Sequence, residues 1–312
     1  MKISEKDERA ASPRTRAALA TCALSLSSLI GISFFFSRPA VSAGAASTAA
    51  SVRPQLPGKF VWFDLLTNDA ATAKKYYGGL FGWTFEPLKG HEPPYEIIRQ
   101  AGAPIGGVVD MTLRKQDLPE STWLGYVSVP DVDAAAAAFK EKGGAVLKAP
   151  FDVAGLARAA VVTDPQRALV GLIRIAKGDP PDGPPADGRF LWIEHMAKDA
   201  PAAMAFYRDV LGYDAKPLEA GVTGVDFSYY ALSRGGKNRA GLYTVPWKEL
   251  NSNWLPYVRV ADAAAAAEKA KALGGRVVLA PRADMRNGSL AIAVDPTGAA
   301  LALQKYPFEN GK

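Results

Sequence analysis

The chain has 312 residues, 48% of them hydrophobic, which is ample for a packed core and, at about 100–200 residues per domain, suggests two domains. Net charge is +6, and residues 1–43 hold half of the excess with six basic and three acidic side chains, so the rest of the chain offers no electrostatic case for nucleic-acid binding. A single cysteine, Cys22, excludes an intramolecular disulfide and a cysteine-based metal site, and only two histidines, His91 and His195, are present.

The N-terminus reads as an address. Residues 2–16 are polar and contain Lys2, Lys6, Arg9, Arg14 and Arg16; Ala17–Phe36 then runs twenty residues without a charge. Arg38-Pro39 breaks the run, and Val41-Ser42-Ala43 has the small residues of a signal-peptidase site, so residues 1–43 are expected to be removed and Gly44 to start the mature chain. The competing expectation is an uncleaved anchor over 17–36, which is long enough to span a bilayer but is diluted by Ser25, Ser27, Ser28 and Ser33. Cys22 precedes most of the apolar run, which misplaces a lipid, and Arg14-Thr15-Arg16 lacks the adjacent arginines of a twin-arginine signal. The expected location is periplasmic or extracellular. A mature chain without cysteine is indifferent to an oxidising compartment. Residues 44–57 (GAASTAASVRPQLP) read as a flexible spacer.

Two copies of one unit follow. Phe60, Trp62, Asp69, Tyr77, Gly82 and Pro87-Leu88 recur 130 residues later as Phe190, Trp192, Asp199, Tyr207, Gly212 and Pro217-Leu218. Trp123-Leu124, Tyr126, Asp131, Gly143-Gly144, Pro150 and Asp164-Pro165 recur at an offset of 131. Chance similarity of Ala-rich helices does not place paired Trp, Tyr and Asp-Pro at fixed offsets. The domains are expected at 58–177 and 187–307, joined by a Pro/Gly linker at 178–186, with a tail at 308–312.

Each copy also splits into halves. FVWFDLLTND followed by AATAKKYYGGLFGW, and WLGYVSVPD followed by VDAAAAAFKEKGG, both read as strand, capping Asp, helix, glycine stop and further strands. Asp69 and Asp131 stand at N-cap positions, and Gly78-Gly79 and Gly143-Gly144 are the expected helix stops. The half-unit strand–helix–strand–strand–strand is therefore used four times, an α+β architecture.

WFDLLTNDAATAKKYYGGLFGWTF and WIEHMAKDAPAAMAFYRDVLGY resemble the opening of a vicinal oxygen chelate domain, the glyoxalase, bleomycin-resistance and dioxygenase family. VTDPQRALVGLI and AVDPTGAALALQ resemble its last strand, which begins with Asp-Pro. The resemblance implies strands bent into a cup, helices outside and the ligand within. It does not settle function, because this fold hosts isomerases, dioxygenases, epoxide-opening transferases and drug-binding proteins. Metal-dependent members carry a His seven residues before the capping Asp; Trp62, Leu124, Trp192 and Leu255 stand there. The Glu of their last strand is replaced by Gly171 and Ala302. Apolar side chains give a divalent ion no donor, so no metal and no cofactor are expected. His91, in the loop GHEPP, and His195 read as loop and packing residues. Arg234-Gly235-Gly236-Lys237 reads as a basic turn without a following helix, not a phosphate cradle, and no Gly-x-Ser-x-Gly occurs.

Strand alternation assigns the faces. Val61, Phe63 and Leu65 should meet the helix, leaving Trp62, Asp64 and Leu66 in the first cup. In copy two, Leu191, Ile193 and His195 should meet the helix, leaving Trp192, Glu194 and Met196 in the cup. Tyr126 joins the first cup, and Tyr257 with Arg259 the second. The candidate ligand-binding residues are thus Trp192, Glu194, Tyr257 and Arg259, or Trp62, Asp64 and Tyr126. Copy two is preferred because Arg259 gives it both signs of charge. The bland reading is a Trp filling a vestigial cup and an acid satisfied by a neighbouring base. Three functions stay open: metal-free binding of a small aromatic, cationic or amphipathic molecule, a lyase, isomerase or dioxygenase-like enzyme with a carboxylate base or non-standard metal site, and an interaction scaffold. No catalytic residue is assigned, and a monomer and a homodimer are both open.

Overall fold

The computed structural model describes residues 52–116, 118–153, 155–183, 185–218, 229–245 and 250–306; the expected signal peptide, most of the spacer and the tail lie outside them. The half-unit appears four times. In the first domain β1 (Phe60–Thr67), α1 (Ala70–Phe81), β2 (Thr84–Pro87), β3 (Glu96–Gln100) and β4 (Ala103–Asp110) precede β5 (Thr122–Ser128), α2 (Val132–Glu141), β6 (Ala145–Val153), β7 (Ala157–Thr163) and β8 (Leu169–Ile175). In the second, β9 (Phe190–Ala197), α3 (Ala200–Leu211), β10 (Asp214–Leu218), β11 (Tyr229–Arg234) and β12 (Lys237–Thr244) precede β13 (Asn253–Val260), α4 (Ala263–Ala272), β14 (Arg276–Leu279), β15 (Leu290–Val294) and β16 (Ala300–Lys305). The eight strands of each domain form one mixed sheet, ordered β2-β3-β4-β1-β5-β8-β7-β6 and β10-β11-β12-β9-β13-β16-β15-β14. The centre of each sheet is the antiparallel pair that opens the two half-units.

Local chemistry sets the helix ends. Asp69, Asp131, Asp199 and Asp262 each accept from the backbone N–H three residues on, at 2.8–3.0 Å, and a cap of this kind contributes about 1 kcal/mol. The stop expected at Gly78-Gly79 falls later. α1 continues to Phe81 and ends at Gly82, whose φ of 71° is the left-handed cap. Gly79 is instead a close-approach glycine, since a Cβ there would lie 2.8 Å from Leu273 Cδ2 in the other domain. α1 buries Ala73, Tyr76, Tyr77 and Leu80, the i, i+3, i+4, i+7 stripe of an amphipathic helix.

One apolar core serves both domains on the helix side of the sheets. Phe63 and Phe190 stack across it at 3.9 Å, and Trp83 donates to the Gly188 carbonyl at 2.7 Å. Each Asp-Pro turn reaches into the other domain. Asp164, between β7 and β8, accepts from the Tyr207 hydroxyl at 3.0 Å, and Tyr207 accepts from Trp254 at 3.0 Å. Asp295 lies close to Tyr77, whose hydroxyl accepts from Trp123 at 3.0 Å. His195 is fully buried in this core, its Nε2 3.0 Å from Asp164 Oδ2, so it packs away from the cup as its strand position predicts.

The concave faces hold two separate clusters, one per domain. Val61, expected to face the helix, joins the concave cluster of the first domain. Register shifts between Phe60 and Trp62, so Val61 is the extra residue of a β-bulge and alternation breaks there. The same shift between Phe190 and Trp192 makes Leu191 the bulged residue of copy two. Residues 53–56, expected within a flexible spacer, are tied down: Gln55 donates to the Ile175 carbonyl at 2.7 Å, and the Leu56 N–H donates to Asp179 at 2.5 Å. The linker is held in turn, as Asp182 pairs with Lys59, Lys237 and Arg239 at 2.7–3.2 Å. Among the described residues no helix is long and apolar enough to cross a membrane.

Candidate functional site

Both cups are built around a buried carboxylate on the central strand. In the first domain Asp64 is 5% exposed. It accepts from Trp62 Nε1 at 2.9 Å and from the Tyr95 hydroxyl at 2.6 Å, and the Tyr126 hydroxyl faces it. Burial raises its pKa, while these three donors pull the other way. Burial and the facing Asp64 charge push the Tyr95 and Tyr126 hydroxyls well above their ordinary values, so both remain protonated donors. The structure brings together Trp62, Asp64 and Tyr126, three of the candidate residues, and adds Tyr95, from the loop before β3, which no sequence pattern indicated.

In the second domain Glu194 is 2% exposed. It accepts from the Tyr229 hydroxyl at 2.8 Å and the Tyr257 hydroxyl at 2.5 Å. Trp192 Nε1 reaches it at one remove, donating to the Tyr229 oxygen at 3.0 Å. The expected partner, Arg259, does not face Glu194. Its guanidinium pairs with Asp187 at 2.8 Å and donates to the Pro185 carbonyl. Register explains this: β13 aligns Leu255 with Glu194 and Tyr257 with Trp192, which leaves Arg259 beyond the bulge, beside the segment entering β9. Ser128, its counterpart, likewise donates to Asp179 at 2.6 Å instead of facing the cup.

The cation on Glu194 is Arg286, from the turn of 3-10 helix Arg286–Gly288 between β14 and β15. Arg286 also donates to Gln304 Oε1 at 3.0 Å, and its side chain is 8% exposed. Burial, the largest single influence, lowers its pKa, but Glu194 together with the facing Tyr257 and Tyr229 hydroxyls more than offsets it and holds the guanidinium above its ordinary value. Arg286 and Asn287 both have left-handed backbone, φ 46° and 50°. Such geometry costs on the order of 1 kcal/mol per residue. The second cup is therefore plugged by its own chain.

Glycines inside the strands make room for the tyrosines. A Cβ on Gly171 would lie 2.1 Å from the Tyr126 ring, one on Gly107 1.8 Å from the Tyr95 hydroxyl, and one on Gly241 1.9 Å from the Tyr229 hydroxyl. This bears on metal binding. Gly171 stands where metal-dependent relatives of the fold place a carboxylate, and the Tyr126 ring occupies the space such a side chain would need. Trp62 offers an N–H donor and not a lone pair, and Leu124 is buried hydrocarbon. Among the described residues no three His, Cys, Asp or Glu side chains cluster. The residues present do not fit a divalent ion.

Two family models match the chain. Residues 59–172 match the Glyoxalase/Bleomycin resistance protein/Dioxygenase superfamily, and residues 192–303 match a glyoxalase-like domain. A Mycobacterium tuberculosis protein provisionally named glyoxylase CFP32 is 30% identical over 246 residues, 78% of this chain and 93% of that protein. The anthracycline biosynthesis protein DnrV of Streptomyces peucetius is 29% identical over 82% of this chain and 97% of its own. The Mn(II)-bound glyoxalase of Novosphingobium aromaticivorans superposes with a TM-score of 0.54 at 17% identity, over 80% of this chain and 82% of that one. The 2,3-dioxygenase LapB of Pseudomonas sp. KL28 does so with a TM-score of 0.55 at 11% identity, over 84% and 96%. The chain is a tandem two-domain member of the glyoxalase/bleomycin-resistance/dioxygenase superfamily, the vicinal oxygen chelate fold.

Proposed function

We propose that this protein is an exported, metal-free member of its superfamily that binds a small aromatic or amphipathic molecule in the cup of the first domain. The observation that carries this reading is the inequality of the cups: Glu194 is closed off by Arg286, whereas Asp64 has no cation within ion-pair distance among the described residues. Trp62 and Tyr95, both part-exposed, give the first cup aromatic wall, and Asp64 fixes their polar ends. Such a site suits a flat ligand with a few polar groups. A relative named for anthracycline biosynthesis is compatible with a ring-bearing ligand. Asp64 is already surrounded by three donors, so it serves better as a fixed acceptor than as a general base.

Thermal-shift screening of small aromatic compounds, with and without added Mn, Ni, Zn or Fe, tests the reading. A ligand that binds only the native state raises the melting temperature. The expected result is a metal-independent shift that Trp62→Phe diminishes and Trp192→Phe leaves alone. Stoichiometric tightly held metal, with shifts only in its presence, would contradict it. N-terminal sequencing of protein from the native host tests export, with Gly44 as the expected first residue.

A further inference from the structure

The first cup contains charges that its acid does not account for. Arg114 ends a single 3-10 turn, Thr112–Arg114, directly after β4. Its side chain is half-buried, and its Nε is enclosed without a hydrogen-bond partner. Lys148 lies on β6, an edge strand of the same sheet. Much of the lysine side chain is exposed, yet its ammonium sits 3.7 Å over the centre of the Phe151 ring, and Phe151 packs on the concave cluster with Trp62 and Tyr95. The two cations lie within electrostatic reach of one another and of Asp64. Among the described residues neither forms an ion pair. Asp110, the other acid near Arg114, is engaged by the Thr112 N–H and hydroxyl at 3.0 and 2.6 Å. Two cations therefore face one carboxylate that is already surrounded by donors. Enclosed N–H groups without partners cost free energy until something accepts from them.

We propose that the first cup selects ligands bearing a negative charge, with Arg114 and Lys148 as the paired cations that receive it while Trp62, Tyr95 and Phe151 contact the ring. This rests on the reading above that the first cup is the ligand site. The ligand class is a small aromatic acid, carboxylate or equivalent oxyanion. A guanidinium presents parallel N–H donors to such a group, and an ammonium over an aromatic face adds a second charge-assisted contact. Burial first, and then the Arg114 charge, lower the Lys148 pKa to about 8, so its charge is lost at mildly alkaline pH and recovered when an anion arrives.

The probes are 2-naphthoate and its neutral isostere 2-naphthamide, titrated into the purified full chain by calorimetry. The expected result is a preference for the acid of at least about tenfold near neutral pH. Arg114→Gln removes most of it, and Arg114→Lys restores part. Lys148→Gln reduces it and also flattens the fall in affinity expected as pH rises through about 8. Equal binding of acid and amide, both sensitive to Trp62→Phe, would overturn the charge selection and leave the first cup as the site. Binding of neither, or binding indifferent to Trp62→Phe, would overturn both. A preference for the acid that survives in Arg114→Gln and Lys148→Gln alike would place the charge recognition elsewhere.

Discussion

Among the described residues the buried acid of the first domain takes hydrogen bonds only from neutral groups, whereas that of the second takes one from a guanidinium. The surroundings otherwise correspond: Trp62 with Trp192, Tyr126 with Tyr257, Tyr95 with Tyr229. What differs is the segment after the sixth strand of each sheet. In copy two it turns through Arg286 and Asn287 and brings a guanidinium onto Glu194; in copy one β6 and β7 form a hairpin, and neither Arg114 nor Lys148 pairs with Asp64 among the described residues. A local difference at one turn is enough to pair one buried acid with a guanidinium and leave the other, among the described residues, with neutral donors alone. The comparison also shows that an acid beside a tryptophan is uninformative until its partner is known.

The largest test of this difference is stability. Removing one partner of a buried ion pair strands the other charge, so Arg286→Ala is expected to lower unfolding free energy by about 3–5 kcal/mol. Arg114→Ala, which breaks no ion pair, should cost less than about 1 kcal/mol. Urea denaturation of both variants measures this; equal losses would mean that Arg114 is as structural as Arg286. Next is the strand glycine. Gly171→Ala pushes a methyl into the Tyr126 ring and should cost about 1–3 kcal/mol by overpacking, whereas Ala302→Gly, its register counterpart beside Tyr257, should cost no more than about 1 kcal/mol. Thermal melts compare the two, and a tolerated Gly171→Ala would show that the ring can move. The smallest effect is pH-linked. The Lys148 pKa is about 8 in the folded chain against 10.5 for a free side chain. The unfolded chain therefore binds more protons between these values, and stability should rise with pH across that window. Lys148→Gln should flatten the slope, a modest change because the side chain is largely exposed. An unchanged slope would show that the amine is not crowded.

The repeat, the fourfold half-unit and the four aspartate caps were legible because they rest on local chemistry: alternation, capping hydrogen bonds and fixed offsets. The same logic put Trp62, Asp64 and Tyr126, and Trp192, Glu194 and Tyr257, on shared faces, and the structure groups each set around its acid. It misplaced Val61, because a bulge adds one residue and inverts alternation locally. It misassigned Arg259, because face alone says nothing of how far along the strand pair a side chain lies. Tyr95, Tyr229, Arg114, Lys148 and Arg286 come from other strands and turns, so no local pattern points to them. One signal was present and unread: Gly107, Gly171 and Gly241 sit inside strands, where glycine marks close approach by another group. In each case that group is a tyrosine of the acid cluster.

Binding stoichiometry tests the inequality of the cups most directly. Calorimetric titration of the full chain with 2-naphthoate should give one site per chain, lost or weakened in Trp62→Phe and Lys148→Gln and retained in Trp192→Phe. Two equivalent sites per chain, or a single site that disappears in Trp192→Phe and survives in Trp62→Phe, would contradict the account.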